Sequence, residues 1–226
     1  MRFYRGITVP SEDAERVMES IWLNGLAPGQ GTWSMTHEHP GNLKFLHLKQ
    51  DLSLDDTRPG TRSVAAICAC GDETGAAYYA CSHNKSEKND KPILIEFTTD
   101  LSRAAIDGKD FLYTAFQLGD PSRARPALEQ CFGTAVLAYA DRAWTSEDQS
   151  FRVAQCDLAI HDPEVIEAHH ANKLVIAGRC NTHFRSAFTI SLPVRPAEIV
   201  NVSFPSSSFV MPQPNVRLTE ILRTPR

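Results

Sequence analysis

Arg5 is the first residue whose type and setting suggest a ligand site, since it lies between Tyr4 and Gly6 in an N-terminal run of aromatic and β-branched residues. Such a run favours a strand, predicted here from Arg2 to Val9. A strand arginine beside a glycine can place its guanidinium against a phosphate or carboxylate, because the missing side chain leaves room for a ligand. The alternative is a surface arginine in an ordinary ion pair.

A second group combines thiols with an imidazole, since Cys68-Ala69-Cys70 is followed by Cys81-Ser82-His83. Zinc accepts four such ligands in tetrahedral geometry. The usual two-residue spacing between paired ligands is absent, however, and cysteines two apart on a strand point to the same side, where burial explains both. The sequence therefore favours free buried thiols over a metal site, here and at the remaining cysteines.

Carboxylates in the C-terminal half form the third group, because catalysis at a cationic centre needs an acid. The candidates are Glu147, Glu164, Glu167 and Glu198. Taken alone, each is a typical solvated side chain. The adjacent His169 and His170 would point about 100° apart on a helix. No H-E-x-x-H spacing accompanies them, so a thiol or metal hydrolase is the weaker hypothesis.

The elements that must hold these side chains follow from capping and hydrophobic patterns. Ser11 and Gly25 have the residue types of an N-cap and a C-cap, so a helix is predicted between them. Residues 27–60 are predicted to be mostly loop. Further along, the sequence predicts a strand at 63–70, a helix at 75–82, a central strand at Pro92–Phe97, a strand at 111–113, a linker at 121–126, a helix opened by Pro126, a helix capped by Asp162 with Pro163 at its first position, and strands at 174–177, 187–194 and 199–204.

Composition and element order limit the class of protein. The 226 residues are 42% hydrophobic and 22% charged, which excludes a disordered tail or a collagen-like fibre. A net charge of −4 gives no overall basic field for nonspecific nucleic-acid binding. Strands and helices mix without regular β-α-β alternation, so a single α+β domain over 1–226 with a mostly antiparallel sheet is expected. No apolar run approaches a membrane span or a signal peptide, which predicts a cytoplasmic protein without a membrane partner.

The order of these features resembles the NAD-dependent ADP-ribosyltransferase family over residues 3–101. The matching stretches are Phe3-Tyr4-Arg5-Gly6, the helix end Asn24-Gly25-Leu26, an apolar strand leading to Ala76-x-x-Tyr79-Ala80, and the strand Pro92–Phe97. In that family a first-strand Arg or His grips NAD, a Ser or Tyr before the A-x-x-Y-A helix lines the nicotinamide pocket, and a late Glu carries catalysis. The resemblance implies a split sheet with flanking helices and an inserted helical region at about 120–172.

The resemblance also implies roles for individual residues, with NAD as a co-substrate. Arg5, Gly6 and Tyr4 would bind NAD, and Glu147, Arg5 and Tyr79 would be catalytic. Glu147 is preferred to Glu198 because it follows an aromatic turn. An aromatic ring, Tyr79 or Tyr4, would stack on nicotinamide while the carboxylate stabilises an oxocarbenium-like transition state.

The sequence departs from the family at 68–70, where Cys68-Ala69-Cys70 stands in place of the family's Ser-Thr-Ser. Ser63 and Tyr79 are the possible substitutes there.

The implied function is mono-ADP-ribosylation of a macromolecular acceptor, a protein or a nucleic acid, in the setting of a toxin or a defence effector. The departure at 68–70 motivates an alternative, a catalytically silent nucleotide- or partner-binding module on the same scaffold. Arg179, Arg185 and Arg195 with His183 would form a basic strip on the acceptor side.

Overall fold

The structure, a computed structural model, describes residues 1–27, 33–35, 64–83, 89–107, 109–179, 182–205, 209 and 211–223. The predictions that concern Ser63, Cys180 and most of the 27–60 loop lie outside the described residues. Within them the chain has a mixed α+β fold, with an antiparallel sheet and flanking helices, as predicted.

Seven strands of the described chain form one sheet in which every pairing is antiparallel. They are β1 (Arg2–Pro10), β2 (Trp33–Met35), β3 (Val64–Cys70), β4 (Asp90–Thr98), β5 (Ala104–Ile106), β8 (Ala187–Ser191) and β9 (Ile199–Ser203). Their order is β5-β8-β3-β1-β4-β9, with β2 beside β3. A smaller sheet contains β6 (Ile176–Ala177), β7 (His183–Phe184) and β10 (Val216–Arg217).

Helices cover the sheet and account for most of the chain between β5 and β6. They are α1 (Ala14–Asn24), α2 (Glu73–Tyr78), α3 (Lys109–Leu118), α4 (Pro121–Phe132), α5 (Val136–Thr145), α6 (Gln149–Ile160), α7 (Pro163–Ala171) and α8 (Leu218–Ile221). A π-helical turn, Tyr79–His83, continues α2. No helix of the described residues is both long and apolar enough to cross a membrane.

Two predicted helix ends are confirmed. Gly25 ends α1 with a left-handed φ of 68° and donates its N–H to the Ile21 carbonyl. Asp162 caps α7 by accepting the Glu164 N–H at 2.9 Å. The prediction for Ser11 is wrong, because this residue starts a 3-10 turn and its hydroxyl donates to the Asn89 carbonyl, so that α1 begins only at Ala14.

Two predicted elements of the second half are also wrong. Residues 111–113 belong to α3 rather than to a strand, since Phe111, Ala115 and their neighbours are buried with helical periodicity. The linker at 121–126 is instead the start of α4, which Asp120 caps and Pro121 opens. Asp-Pro is the same start signal as at α7, and Pro126 lies inside the helix.

The core lies between the sheet and the helices and is rich in aromatic rings. Phe3 on β1 contacts Phe97 on the adjacent strand β4 and Phe188 on β8, with ring centroids 6.1 and 5.2 Å apart. Phe132 of α4 stacks on His169 of α7 at 4.6 Å. The aromatic layer therefore joins the helices to the strands β1 and β8.

His169 is a fully buried polar residue at this junction. Its Nε2 accepts the Ala187 N–H at 3.1 Å, so Nδ1 carries the proton and donates to the Cys131 carbonyl at 3.0 Å. Burial lowers the pKa of His169 from 6.5 to about 4. The imidazole is therefore neutral in the folded protein and joins α4 and α7 to the start of β8.

This burial predicts a loss of stability in acid. The unfolded chain takes up a proton on His169 below about pH 6.5, whereas the folded protein does so only near pH 4, so stability falls as the pH drops between these values. We expect His169 to account for a loss of about 2 kcal/mol in the free energy of unfolding between pH 7.5 and pH 4.5. Urea unfolding at both pH values measures it.

Substitution separates this imidazole from the other titrating groups. His169→Gln should show a loss over the same pH interval that is smaller by that amount. His161→Gln, which removes a histidine at an exposed helix end, is the control for the loss of one imidazole. An unchanged pH dependence in His169→Gln would contradict the assignment.

Candidate functional site

A cavity of about 290 Å³ lies between β1, β3 and the end of α2. Its volume is at the lower end of the range for small-molecule sites, roughly 300–1,000 Å³. Ten residues line it: Tyr4, Arg5, Gly6, Cys68, Ala69, Cys70, Ala76, Tyr79, Asp107 and Ala187. Tyr4, Arg5, Gly6 and Tyr79 were all predicted from the sequence as site residues, and the structure brings them together in this cavity.

Strand pairing explains why a cavity forms here. β1 pairs with β4 along its whole length but with β3 at one register position, Tyr4 opposite Cys70. The two strands are therefore only loosely joined beside Arg5, and the guanidinium bridges them by donating from Nη1 to the Cys68 carbonyl at 2.7 Å. This short pairing leaves a cavity that is lined by the arginine and by β3 residues 68–70.

Arg5 is the cationic group of the cavity. Burial lowers the pKa of its guanidinium, against the opposing influence of the nearby thiols of Cys68 and Cys70. Within the described residues its polar partner is the Cys68 carbonyl, and it forms no ion pair. The ordinary surface ion pair considered for this arginine is therefore not what the described residues contain, and the guanidinium retains N–H donors for a ligand.

Asp107 is the acidic group of the cavity, and the sequence did not single it out. It follows β5 directly and donates its backbone N–H to the Ala187 carbonyl at 2.9 Å. The Cys68 thiol donates to its Oδ2 at 3.1 Å. Burial raises the pKa of Cys68, and the charge of Asp107 adds to this effect, so the thiol keeps its proton. A carboxylate and a guanidinium therefore share one small cavity.

Tyr79 belongs to the wall of the cavity that the end of α2 and the π-turn form. It is the first residue of the π-helical turn, a distortion that is frequent at functional sites. Its hydroxyl donates to the His183 carbonyl at 3.4 Å, and burial raises its pKa, so the phenol stays protonated at neutral pH. The ring of Tyr4 lies half-buried on β1. Two aromatic side chains are thus available to contact a planar ligand.

Gly6 serves a different purpose from the one predicted. A Cβ at this position would lie 1.9 Å from the Ala76 carbonyl oxygen and 2.9 Å from the Ala80 nitrogen. The space beside Gly6 is therefore filled by the backbone of α2 and the π-turn rather than kept for a ligand. The glycine lets this helix pack directly on β1.

The late glutamates lie elsewhere. Glu147 is exposed at the junction of α5 and α6 and is not among the cavity-lining residues. Glu198 is paired with Arg103 at 2.8 Å and accepts the Arg195 N–H at 2.6 Å. Glu164 and Glu167 are exposed on α7. The structure thus brings none of these four beside Arg5, and Asp107 is the carboxylate that it does bring there.

The remaining candidates have structural surroundings. No group of three or more His, Cys, Asp or Glu side chains within the described ranges is placed to hold a metal ion, and none of the five described cysteines forms a disulfide with another. His170 contacts the Arg2 carbonyl at 2.6 Å. In the predicted basic strip, Arg185 is taken up by an ion pair with Asp72 at 3.1 Å.

Comparisons with protein-family models, with curated proteins and with solved structures give no significant match to this chain. The resemblance to ADP-ribosyltransferases therefore stays a prediction, and the cavity itself carries the functional argument.

Proposed function

We propose that the cavity binds NAD and that the protein transfers ADP-ribose from it to a macromolecular acceptor. The observation that carries this proposal is the presence of Arg5 and Asp107 in one cavity with two tyrosines. NAD offers anionic phosphates to a guanidinium, ribose hydroxyls to a carboxylate and a cationic aromatic ring to tyrosine faces.

Arg5 would hold a phosphate or a ribose oxygen. One of its N–H groups is taken by the Cys68 carbonyl, and the other N–H groups of the guanidinium would pair with an oxyanion of the ligand. The cavity is too small to enclose a whole dinucleotide, so the nicotinamide and its ribose would lie inside, with the adenosine half toward solvent.

Asp107 would take the role that the resemblance gives to a late glutamate. When the bond between ribose C1′ and the nicotinamide nitrogen breaks, its electron pair leaves with nicotinamide and positive charge develops on the ribose. A carboxylate fixed beside the sugar stabilises that charge and holds the 2′-hydroxyl. A lone pair of the acceptor then forms the new bond at C1′, and the acceptor loses its proton to solvent.

The acceptor is proposed to be a protein or a nucleic acid in the cytoplasm, in the setting of a toxin or defence effector. The net charge of −4 provides no overall basic field for a nucleic acid and so mildly favours a protein acceptor. Mono-ADP-ribosylation is proposed because it is the form of transfer that the resemblance implies.

A catalytically silent nucleotide-binding module is the second candidate. The observation in its favour is the thiol of Cys68, which already occupies one oxygen of Asp107 at 3.1 Å. Asp107 is also one methylene shorter than the glutamate expected from the resemblance. In this case NAD binds to the cavity without being cleaved.

The test is incubation of the protein with NAD, with nicotinamide release followed by chromatography and binding by calorimetry. Transferase activity predicts release that increases with an added protein or nucleic-acid acceptor. Binding without release would support the silent module, and the absence of both would reject the NAD site.

Arg5→Ala is expected to weaken NAD binding about 10- to 100-fold, because one charge-assisted contact to the ligand is lost. Arg2→Ala provides a matched control on the same strand, since Arg2 is exposed and pairs with Glu96 outside the cavity. Its dissociation constant should stay within about twofold of wild type. Equal affinities for Arg5→Ala and wild type would remove Arg5 from the site.

A further inference from the structure

One wall of the cavity is fastened to the rest of the protein through Asp72. This residue caps α2 by accepting the Thr74 N–H at 3.0 Å, and its two oxygens lie 3.1 Å from Arg185 Nε and 3.2 Å from Lys173 Nζ. The side chains of Asp72 and Arg185 are only 13% and 16% exposed, whereas Lys173 is 56% exposed. The contact with Arg185 is therefore the one shielded from water.

The charge on Asp72 persists at neutral pH. Partial burial acts to raise its pKa, but Lys173 and Arg185 outweigh this effect and hold the pKa below its usual value. The Nε group of Arg185 is close to the carboxylate without the alignment of a hydrogen bond, so their attraction is mainly Coulombic. Neutralising Asp72 would leave the Arg185 guanidinium without its counter-charge.

Arg185 belongs to the turn between β7 and β8. This turn runs beside the cavity wall that α2 and the π-turn form. Gly71 donates its N–H to the Ser186 carbonyl at 2.7 Å, and the Tyr79 hydroxyl donates to the His183 carbonyl at 3.4 Å. Ser186 is buried with a φ of 49°, a left-handed conformation that a side chain adopts only when its surroundings hold it. The turn is thus a rigid support for α2 and the π-turn.

We infer that Asp72 and Arg185 are positioning residues for the proposed NAD site. Neither lines the cavity, but their ion pair holds the wall that carries Ala76 and Tyr79 against the fixed β7–β8 turn. When the pair is intact, Tyr79 keeps its distance from Arg5 across the cavity. When it is broken, the wall shifts and the aromatic contact with nicotinamide weakens. This inference takes the identity of the ligand, NAD, from the proposed function. The contacts of Asp72 and Arg185 do not depend on that function.

Asp72→Asn tests the pair without removing the helix cap, because the Asn side chain still accepts the Thr74 N–H. We expect the dissociation constant and the KM for NAD to rise about tenfold, with kcat within twofold of wild type, since the wall contacts substrate and transition state alike. Asp148→Asn is the matched control, because Asp148 caps α6 in the same way, by accepting the Ser150 N–H at 2.8 Å, outside the cavity. It should leave both constants unchanged.

Hydrogen exchange provides a readout that does not require NAD. In Asp72→Asn, the amides of residues 73–83 should exchange about tenfold faster, while those of β4 keep their wild-type rates. If wild type does not bind NAD, the proposed function fails, and faster exchange confined to 73–83 still upholds the positioning role. Unchanged exchange in this segment would overturn the inference, whatever the ligand. If the wild-type protein is an active enzyme, a wild-type KM for NAD in Asp72→Asn would also overturn the inference.

Discussion

Asp107→Asn is expected to lower the rate of nicotinamide release from NAD by about 100- to 1,000-fold. The substitution preserves the size of the side chain and an oxygen that can accept from the Cys68 thiol, but it removes the negative charge beside the ribose. Since that charge matters most when the glycosidic bond is broken, kcat should fall while the dissociation constant for NAD changes by less than about threefold. Single-turnover nicotinamide release and calorimetric titration measure the two quantities.

Two further variants decide which carboxylate acts. Glu147→Gln changes an exposed side chain outside the cavity, and Glu198→Gln, also outside the cavity, keeps one oxygen that can accept either from Arg103 or from the Arg195 N–H. Both should release nicotinamide at the wild-type rate. Loss of activity in either of them, with Asp107→Asn still active, would return the catalytic role to a late glutamate and leave Asp107 as a binding residue.

The site residues on β1 could be predicted from the sequence because the pattern that identifies them spans only a few consecutive residues. Tyr4, Arg5 and Gly6 are consecutive, and an aromatic and β-branched run predicts the strand that presents them. Tyr79 belongs to the same category, since the turn after β3 and the small residues before Tyr79 predict a short helix. The helix ends at Gly25 and Asp162 were predicted for the same reason, because a cap depends on only a few neighbouring residues.

Asp107 could not be predicted from the sequence because its position depends on pairings between strands that are far apart in the sequence. β8 lies between β3 and β5, with Cys70 opposite Ala187 and Ile106 opposite Phe188. Only this arrangement brings the residue after β5 to the cavity, and it joins segments about 40 to 120 residues apart. From the sequence alone, Asp107 cannot be distinguished from the many other acidic residues in polar turns. A useful signal was its place directly after the buried run Ala104–Ile106.

The strand predicted at 111–113 fails for a related reason. Phe111 and Leu112 form an apolar run too short to distinguish a strand from a buried helix, and the period appears only when Ala115 and Phe116 are included. Gly6 lines the cavity as predicted, but the idea that its missing side chain leaves room for a ligand is wrong, because the sequence cannot say what fills the space beside a glycine. In the structure it is a carbonyl of α2 rather than a ligand.

Gly6→Ala is therefore expected to destabilise the protein by about 4 kcal/mol, a large effect for one methyl group. In an open strand the change would be favourable, by about 0.5–1 kcal/mol, because alanine restricts the unfolded chain more than glycine does. Here the added Cβ would lie 1.9 Å from the Ala76 carbonyl oxygen and 2.9 Å from its carbon, and both are backbone atoms. These atoms cannot move aside as a flexible side chain can. The steric clash therefore outweighs the effect on the unfolded chain, and the substitution lowers the free energy of unfolding.

Thermal unfolding measures the effect, with an expected decrease in Tm of about 12 °C. Gly178→Ala is the matched control, because the nearest atom to its added Cβ is the Thr182 hydroxyl at 3.0 Å, a side-chain atom that needs to shift by only a few tenths of an ångström. Its free energy of unfolding should change by less than about 1 kcal/mol. Any folded Gly6→Ala protein should also bind NAD weakly, since α2 and the π-turn form the wall that carries Tyr79. A Tm at or above the wild-type value would mean that this wall does not rest on β1, and the cavity built from both would lose its basis.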